Sequence, residues 1–163
     1  AHEHPDELKI VGVADPTLFR RESVAREYKL TPEQLYNDAN ELAAHPKRAD
    51  FIINGTMDQD HVPTALPLLA RGYDMLLEKP MATSEEELAQ LAEAAKKYNC
   101  KVSICHVLRY TPFYTAIREE VLAGAIGEVL NVQAVEHVSY HHMAMGFVRE
   151  VNGIARMCVS PRC

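Results

Sequence analysis

Short apolar runs alternate with stretches of helical periodicity over the first hundred residues of the chain. Four runs predict strands: 9–15 (KIVGVAD), the first part of 50–61 (DFIINGTMDQDH), 73–77 (YDMLL) and 101–105 (KVSIC). Apolar runs without polar alternation are typical of parallel strands that are covered on both faces. Strands that alternate with helices in this way predict a doubly wound parallel sheet.

Capping residues mark the helix boundaries between these runs. Thr31, Pro32 and Gln34 open the stretch TPEQLYNDANELAAH as a capping box, with proline at the first helical position, which predicts a helix from that point. Ser84 and Glu87 form a second box. The helix that follows it is predicted to bury one apolar face: Leu88, Leu91, Ala92 and Ala95.

Polar groups follow all four predicted strands. They are Asp15, the turn Gly55-Thr56-Met57-Asp58, the triplet Glu78-Lys79-Pro80, and His106. In a doubly wound sheet, ligands bind beyond the carboxyl ends of the strands. One polar residue at such a position is usually a solvated strand end, but four in succession favour a binding site along one edge of the sheet.

The pattern changes beyond His106. A helix is predicted from the spacing of three apolar residues: Phe113, Ile117 and Val121. The stretch EVLNVQAVEHVSYHH at 128–142 then alternates with a period of two, which predicts a half-buried strand in a more antiparallel sheet. We therefore predict a parallel-sheet domain over 1–106 and the start of an α+β domain over 107–163.

Composition and charge narrow the classes of function. The 163 residues are 47% hydrophobic and 25% charged, which is typical of a soluble globular protein. The formal net charge of −6, with no basic stripe to offset it, argues against a nucleic-acid partner. No apolar run is long enough to span a bilayer and no leader precedes the first strand, so we predict no membrane partner and a cytoplasmic location.

The cysteines occur in two C-x4-C pairs, Cys100/Cys105 and Cys158/Cys163. His106 follows the first pair, which leaves metal ligation open as an alternative. The sequence favours reduced, buried thiols at Cys100 and Cys105, because a metal also needs ligands that converge in space. No metal site is therefore predicted.

The corner formed by Glu78, Lys79 and Pro80 has the sharpest chemical rationale. Pro80 removes a donor and restricts Lys79 to extended backbone, and its peptide bond is a candidate for the cis form. A lysine held in this way can polarise a carbonyl oxygen or donate to a hydroxyl that is being oxidised. Glu78 would pair with Lys79 or hold a ribose hydroxyl, and the alternative is a surface ion pair worth about 0–1 kcal/mol.

Asp15 stands where a dinucleotide-binding sheet places the acid that accepts hydrogen bonds from the adenosine ribose. Its charge would repel a 2′-phosphate, which favours NAD over NADP. The alternative is a strand-ending aspartate before Pro16, which forms a turn.

Several segments resemble a known family. LLEKPMA, preceded by TMDQDH and followed by CHVLRYTPFY, resembles the Gfo/Idh/MocA family of nicotinamide-dependent oxidoreductases, and EHVSYHHMAMGFVR looks like the start of the second domain in a MocA-like subgroup. The similarity covers residues 9–149. It implies a Rossmann-like NAD(P)-binding domain and hydride transfer between NAD(P) and a hydroxyl carbon of a sugar, inositol or related polyol. Some members use that chemistry transiently to cleave glycosides.

The resemblance also implies individual roles. Asp15 matches the ribose-binding acid, and Lys79 matches the lysine beside the nicotinamide and the substrate. His106 matches the segment that crosses between domains near both ligands. The other residues match the turn along the cofactor, the corner around the lysine and the crossing segment: Thr56, Asp58, His61, Glu78, Pro80, Arg109 and Tyr110.

Two features of the family pattern are missing. No two of the seven glycines are spaced Gly-x-Gly, so the turn that holds the pyrophosphate is absent, and so is the aspartate and histidine pair of a second-domain helix. We expect the chain to begin after the first strand and, by itself, to bind NAD weakly or not at all. We also expect an exposed sheet edge beside 9–15 and 51–53 that favours aggregation or pairing with another chain.

These departures leave three functional interpretations open. The chain is an incomplete oxidoreductase in which the base is absent or is replaced by His106 or His141, a non-catalytic binding module, or an inactive gene fragment. For His141 and His142, exposed strand histidines are the stronger interpretation. The tail 149–163 (REVNGIARMCVSPRC) shows neither period and is interpreted as a changed reading frame, a truncation or a domain-joining scar. Substrate identity and oligomeric state are not predicted, although an open second-domain sheet would allow a homo-oligomer.

Overall fold

Five short strands and six helices occur in the part of the chain that the structure, a computed structural model, describes: residues 3–142 and residue 144. The strands are β1 (Val13–Ala14), β2 (Leu35–Tyr36), β3 (Phe51–Asn54), β4 (Asp74–Leu77) and β5 (Val102–Ile104). The helices are α1 (Leu18–Tyr28), α2 (Ala39–Ala44), α3 (His61–Ala70), α4 (Glu85–Lys97), α5 (Pro112–Leu122) and α6 (Tyr140–His142). Short 3-10 turns lie at Pro32–Gln34, Asp58–Asp60 and Val107–Tyr110.

All strand pairs are parallel, as predicted, and they form two separate ladders. β1 pairs with β2, while β4 lies between β3 and β5. The usual strand order of a dinucleotide-binding sheet is 3-2-1-4-5-6. The two ladders correspond to positions 3-2 and 4-5-6 of that order, and no strand of the described residues pairs with both ladders.

The predicted helix that begins at Thr31 is wrong. The capping box forms, with the Thr31 backbone N–H donating to the Gln34 side chain at 2.8 Å, but it precedes only one 3-10 turn. Gln34 also donates to the Val11 carbonyl oxygen at 2.8 Å, and β2 then follows along β1. Helix α2 starts later, where the Asp38 carboxylate accepts from the Glu41 backbone N–H at 2.8 Å. Tertiary pairing therefore overrides the local helix signal.

Helix α4 begins as predicted but buries a different face. The Ser84 hydroxyl accepts from the Glu87 backbone N–H at 3.2 Å, and the Glu87 carboxylate turns back to Thr83 rather than to the cap itself. Leu91 is buried as expected, whereas two predicted face residues, Leu88 and Ala92, are exposed. Ala94 is buried instead, because packing against α3 selects the contact face.

The core lies between α3, α4 and one face of the three-stranded ladder. β4 alternates along its length, with Met75 and Leu77 buried and Leu76 half-buried on the opposite face. The remaining core residues come from both helices and the turn before β4: Val62, Ala65, Leu68, Leu69, Tyr73, Leu91 and Ala94. Helix α3 therefore holds the ladder and α4 together.

The other face of the three-stranded ladder is less covered than the sequence predicts. Phe51 and Ile53 of β3 are 40% and 52% exposed, although both lie in an apolar run. Ile53 stands opposite Leu76 in the register, so the exposed apolar surface continues onto β4. This face does not have the two-sided cover that a doubly wound sheet provides.

The chain divides into two compact units, residues 1–115 and residues 116–163. α5 confirms the predicted helix, but the predicted strand at 128–142 is wrong, because residues 129–139 have no regular structure and are exposed. A strand needs a partner for its backbone groups, and no described residue pairs with this segment. The predicted boundary at residue 106 stays a prediction.

Two sequence interpretations lie outside the described residues. They are the role of the His142 side chain and the interpretation of the tail 149–163, which contains Cys158 and Cys163. A search of the described residues finds no helix that combines the length and the apolar character needed to cross a membrane.

Truncation of the core strand should destabilise the first unit. Leu77 is fully buried in β4, so Leu77→Ala is expected to lower the free energy of unfolding by about 2–5 kcal/mol. The matched change Leu122→Ala, at an exposed position of α5, should alter it by about 0.5 kcal/mol or less. Urea unfolding followed by circular dichroism measures both, and equal losses would show that β4 is not the core of the unit.

Charges on the open face of β3 should reduce self-association. The double variant Phe51→Lys and Ile53→Lys places like charges on an exposed apolar surface, so sedimentation velocity should show fewer large species than for the unmodified chain. Gln90→Lys with Ala92→Lys adds the same charge to the exposed side of α4 and should change the distribution much less. An equal effect of both pairs would assign the change to net charge alone.

Candidate functional site

The carboxyl ends of β3, β4 and β5 form one edge, here called the rim, which comprises residues 54–56, 78–80 and 105–106. Backbone hydrogen bonds reach this edge from both sides of β4. The Glu78 N–H donates to the Asn54 carbonyl oxygen at 3.0 Å, and the Cys105 N–H donates to the Leu77 carbonyl oxygen at 2.8 Å. The three strand ends are therefore held level with one another, and the residues that follow them project from the same side.

Asn54 fixes the turn after β3. Its side chain is 4% exposed and donates to the His61 carbonyl oxygen at 3.1 Å and to the Thr64 hydroxyl at 3.0 Å. Its oxygen accepts from the Thr56 hydroxyl at 2.9 Å and from the Thr56 backbone N–H at 3.3 Å. Sequence reasoning missed this residue, although a polar side chain that closes an apolar run just before Gly55 is a usable signal.

His61 is the first residue of α3 and is 1% exposed. Its Nδ1 lies 2.6 Å from the carbonyl oxygen of Pro80, and its Nε2 lies 3.0 Å from the carbonyl oxygen of Thr56. The imidazole ring therefore joins the turn after β3 to the corner after β4. In this arrangement both ring nitrogens face protein carbonyls.

Lys79 and His106 line the same surface groove. The groove has a volume of about 480 Å³, and its wall continues through Pro80, Thr83 and Ser84 toward the start of α4. The Lys79–Pro80 peptide bond is cis, and the Lys79 backbone N–H donates to the Glu78 carboxylate at 3.2 Å. The side chain of Lys79 is exposed on the groove, so the two residues predicted from the sequence as catalytic share one solvent-accessible space.

The Cys105 thiol lies beside Glu78 at the rim. Burial raises the pKa of the half-buried Cys105 thiol, and the negative charge and hydrogen bonding of Glu78 raise it further. The protonated thiol is therefore favoured at neutral pH, as expected for a reduced structural cysteine. The thiol of Cys100 also has a raised pKa, chiefly from burial, with Asp74 as a second cause.

Asp15 follows β1 in the other ladder and is engaged with the start of α1. Its carboxylate accepts from the Thr17 backbone N–H at 2.7 Å, and its second oxygen lies 3.8 Å from a guanidinium nitrogen of Arg20. The Arg21 guanidinium donates to the Asp15 backbone carbonyl. The half-buried carboxylate thus faces Arg20, and the backbone of the same residue is held by Arg21, in addition to the turn that the sequence predicts.

The other predicted residues lie in the short 3-10 turns. Asp58 opens the turn before α3, where its carbonyl oxygen accepts from the His61 backbone N–H. Arg109 belongs to the turn that follows His106 and donates its backbone N–H to the His106 carbonyl oxygen at 3.0 Å, and Tyr110 is largely exposed. Each occupies a surface loop within the first unit, but their side chains have no described contact with the groove.

The described residues contain no cluster of three histidine, cysteine or acidic side chains that could hold a metal ion. The rim offers the Lys79 ammonium group and the His106 imidazole on the groove, beside the Glu78 carboxylate, the protonated Cys105 thiol and the polar backbone of the turns. Such a set can bind and polarise an oxygen atom and exchange a proton with it.

Parallel strands with α-helical crossovers and polar groups at their carboxyl ends define a nucleotide-binding α/β protein. The profile of the oxidoreductase family with an NAD-binding Rossmann fold, Gfo/Idh/MocA, matches residues 1–106. The chain belongs to this family, as its sequence predicts.

Relatives and solved structures agree with that assignment. The chain is 27% identical over 129 residues to the rhizopine catabolism protein MocA of Rhizobium meliloti. This alignment covers 79% of this chain and 39% of MocA. It is 28% identical over 120 residues to inositol 2-dehydrogenase of Rubrobacter xylanophilus, covering 73% of this chain and 33% of that enzyme. The chain therefore spans less than half the length of these relatives.

A solved structure supports the fold. The WlbA dehydrogenase of Bordetella pertussis, crystallised with NADH and UDP-GlcNAcA, aligns with a TM-score of 0.71 at 17% identity. The alignment covers 78% of this chain and 36% of the dehydrogenase. At this level of identity the likeness concerns the fold alone.

Neutralisation of Glu78 should increase the reactivity of Cys105. The carboxylate disfavours the thiolate, so Glu78→Gln lowers the thiol pKa and shifts the pH profile of alkylation by iodoacetamide to lower pH. Peptide mass spectrometry measures the rate at Cys105 and, as an internal reference, at Cys100. Glu86→Gln, at an exposed position in the first turn of α4, should leave the profile in place. An unshifted Glu78→Gln profile would contradict the proximity of the two groups.

Proposed function

We propose that this chain is part of an NAD(P)-dependent oxidoreductase that acts on a hydroxyl or carbonyl carbon of a sugar, inositol or related polyol. The observation that carries the proposal is the groove shared by Lys79 and His106 at the carboxyl edge of a parallel sheet. The family match and the relatives whose names specify inositol oxidation support the same class of reaction.

The described residues offer contacts for the nicotinamide and the ribose of a dinucleotide, but they contain no turn that would bind its pyrophosphate. The groove offers a space for the nicotinamide and the reacting carbon, and the Asp15 carboxylate is an acceptor for ribose hydroxyls. No glycine-rich turn for the pyrophosphate occurs among the described residues. We therefore propose that this polypeptide alone binds NAD more weakly than the low micromolar range.

The reaction needs a hydride acceptor, an oxygen-stabilising group and a proton acceptor. When bound, NAD(P) would supply the acceptor for the hydride that leaves the carbon bearing the hydroxyl. The ammonium group of Lys79 donates a hydrogen bond to the substrate oxygen and stabilises its developing negative charge. His106 is the candidate acceptor for the hydroxyl proton, since an imidazole exchanges protons near neutral pH. The reverse reaction returns the proton and the hydride to a carbonyl.

The ribose end favours NAD in this proposal, because the charge of Asp15 opposes a 2′-phosphate. Arg20 and Arg21 lie against Asp15 and reduce this opposition, so the expected preference is modest. The partners proposed are a small sugar or polyol and, through the open face of β3, a second protein chain. A cytoplasmic location stays a prediction from the sequence.

Removal of the Lys79 charge should affect NADH binding at the nicotinamide end of the cofactor site and not at the ribose end. On titration with NADH, we expect the His106 ring signals and the Asp15 amide signal to shift in the NMR spectra of the unmodified chain. In Lys79→Met the shift at His106 should disappear, while the shift at Asp15 persists, because the lysine contacts only the nicotinamide end. NADPH, titrated in parallel, should give the same pattern at higher concentration.

A matched control and a turnover assay complete the test. Lys96→Met removes a lysine from the last turn of α4 and should retain both shifts. Absence of any NADH-dependent shift in the unmodified chain would refute cofactor binding by this polypeptide alone and favour the gene-fragment interpretation. Shifts without a change of nicotinamide absorbance, over a panel of polyols, would favour the non-catalytic binding module.

A further inference from the structure

The contacts of His61 differ from those of an ordinary core histidine. The ring is 1% exposed, and the atoms nearest to its two nitrogens are both carbonyl oxygens, at 2.6 Å and 3.0 Å. A carbonyl oxygen can only accept a hydrogen bond, so each contact calls for a ring N–H. A neutral ring has one N–H, and the shorter contact assigns it to Nδ1, which faces Pro80.

The two carbonyl groups belong to different loops of the rim. The Thr56 carbonyl lies in the turn after β3, which Asn54 already fixes by three further hydrogen-bond contacts. The Pro80 carbonyl lies in the corner after β4, one residue beyond Lys79. The ring therefore lies against the turn that Asn54 fixes, and its Nδ1–H reaches the peptide group adjacent to the lysine that lines the groove.

We propose that His61 is a positioning residue for Lys79, acting through the hydrogen bond from Nδ1–H to the Pro80 carbonyl oxygen. The inference rests on the proposed function, because Lys79 needs a defined position only if it meets a cofactor and a substrate oxygen. A buried donor at this point resists displacement of the corner, since a displaced Pro80 carbonyl would leave a buried N–H without a partner. His61 itself touches no reacting atom in this scheme.

Two substitutions separate the two ring contacts. The amide nitrogen of asparagine is bonded to Cγ, as Nδ1 is, so His61→Asn retains a donor toward Pro80. The amide nitrogen of glutamine is one bond farther out, as Nε2 is, so His61→Gln places a donor toward Thr56 and loses the one toward Pro80. Both variants remove the ring and one of its contacts, which makes each the control for the other.

The first readout is the mobility of the corner. The heteronuclear NOE of the Lys79 and Met81 amides should remain high in the unmodified chain and in His61→Asn, and should fall in His61→Gln. The melting temperatures of the two variants should be similar, because each loses a similar amount of packing. Equal NOE values in the two variants, whether both high or both low, would overturn the proposal and leave His61 a structural residue only.

The second readout is the engagement of Lys79 by the cofactor. NADH should slow acetylation of Lys79, measured by peptide mass spectrometry with Lys96 as the internal reference. This protection should persist in His61→Asn and fall about two- to tenfold in His61→Gln, the range that one hydrogen bond represents. Loss of protection to the same extent in both variants would count against a specific role for the Nδ1 contact.

The proposal and the proposed function fail in different ways. If NADH does not protect Lys79 in the unmodified chain, the cofactor assignment is refuted, while the NOE comparison still decides whether His61 restrains the corner. If neither variant folds, the tautomer of His61 in the unmodified chain provides the test, through long-range proton–nitrogen correlations of the ring. A proton on Nδ1 supports the proposal, and an unprotonated Nδ1 overturns it.

Discussion

The hydrogen bonds that hold β4 between β3 and β5 determine where the chemistry of this chain can occur. β4 buries Met75 and Leu77 under α3 and α4, so its register against both neighbours is fixed by the core, since a shift of one residue would turn these side chains out of it. The same ladder continues to the Glu78 N–H and the Cys105 N–H, one at each side of the strand end. Lys79 follows at once, so the apolar packing of the strand sets the position of the groove.

A buried polar network lies directly against that core. Asn54, His61 and Thr64 connect the end of β3, the start of α3 and the corner after β4. Among the residues that the structure describes, no buried side-chain nitrogen or oxygen lacks a hydrogen-bond partner. Because an unpaired polar group in such a place would cost about 1–3 kcal/mol, the network favours one arrangement of the loops over others. Hydrogen bonds to Asn54 and to the start of α3 thus restrain the loops of the rim.

Several large apolar side chains are exposed elsewhere on the described residues. Phe51 and Ile53 are open on β3, and the segments after His106 expose large side chains such as Phe113 and Leu130. Exposed apolar patches of this kind are typical of surfaces that contact another chain or another domain. The period-two pattern of 128–142 does not by itself produce a strand, because a strand forms only where a neighbour supplies the second row of backbone groups.

The sequence by itself determined the parallel α/β class, the family, the positions of β3, β4 and β5, and the placement of Lys79 and His106 at strand ends. These features depend on local apolar runs and on short motifs, which can be identified from the sequence alone. Tertiary structure decided the rest. Leu35 and Tyr36 became a strand because β1 pairs with them, and α4 turned Ala94 rather than Leu88 inward because α3 lies there. The His61 ring contacts the carbonyl oxygen of Pro80, which lies 19 residues farther along the chain. Contacts between distant segments determine these outcomes, and no local pattern encodes them.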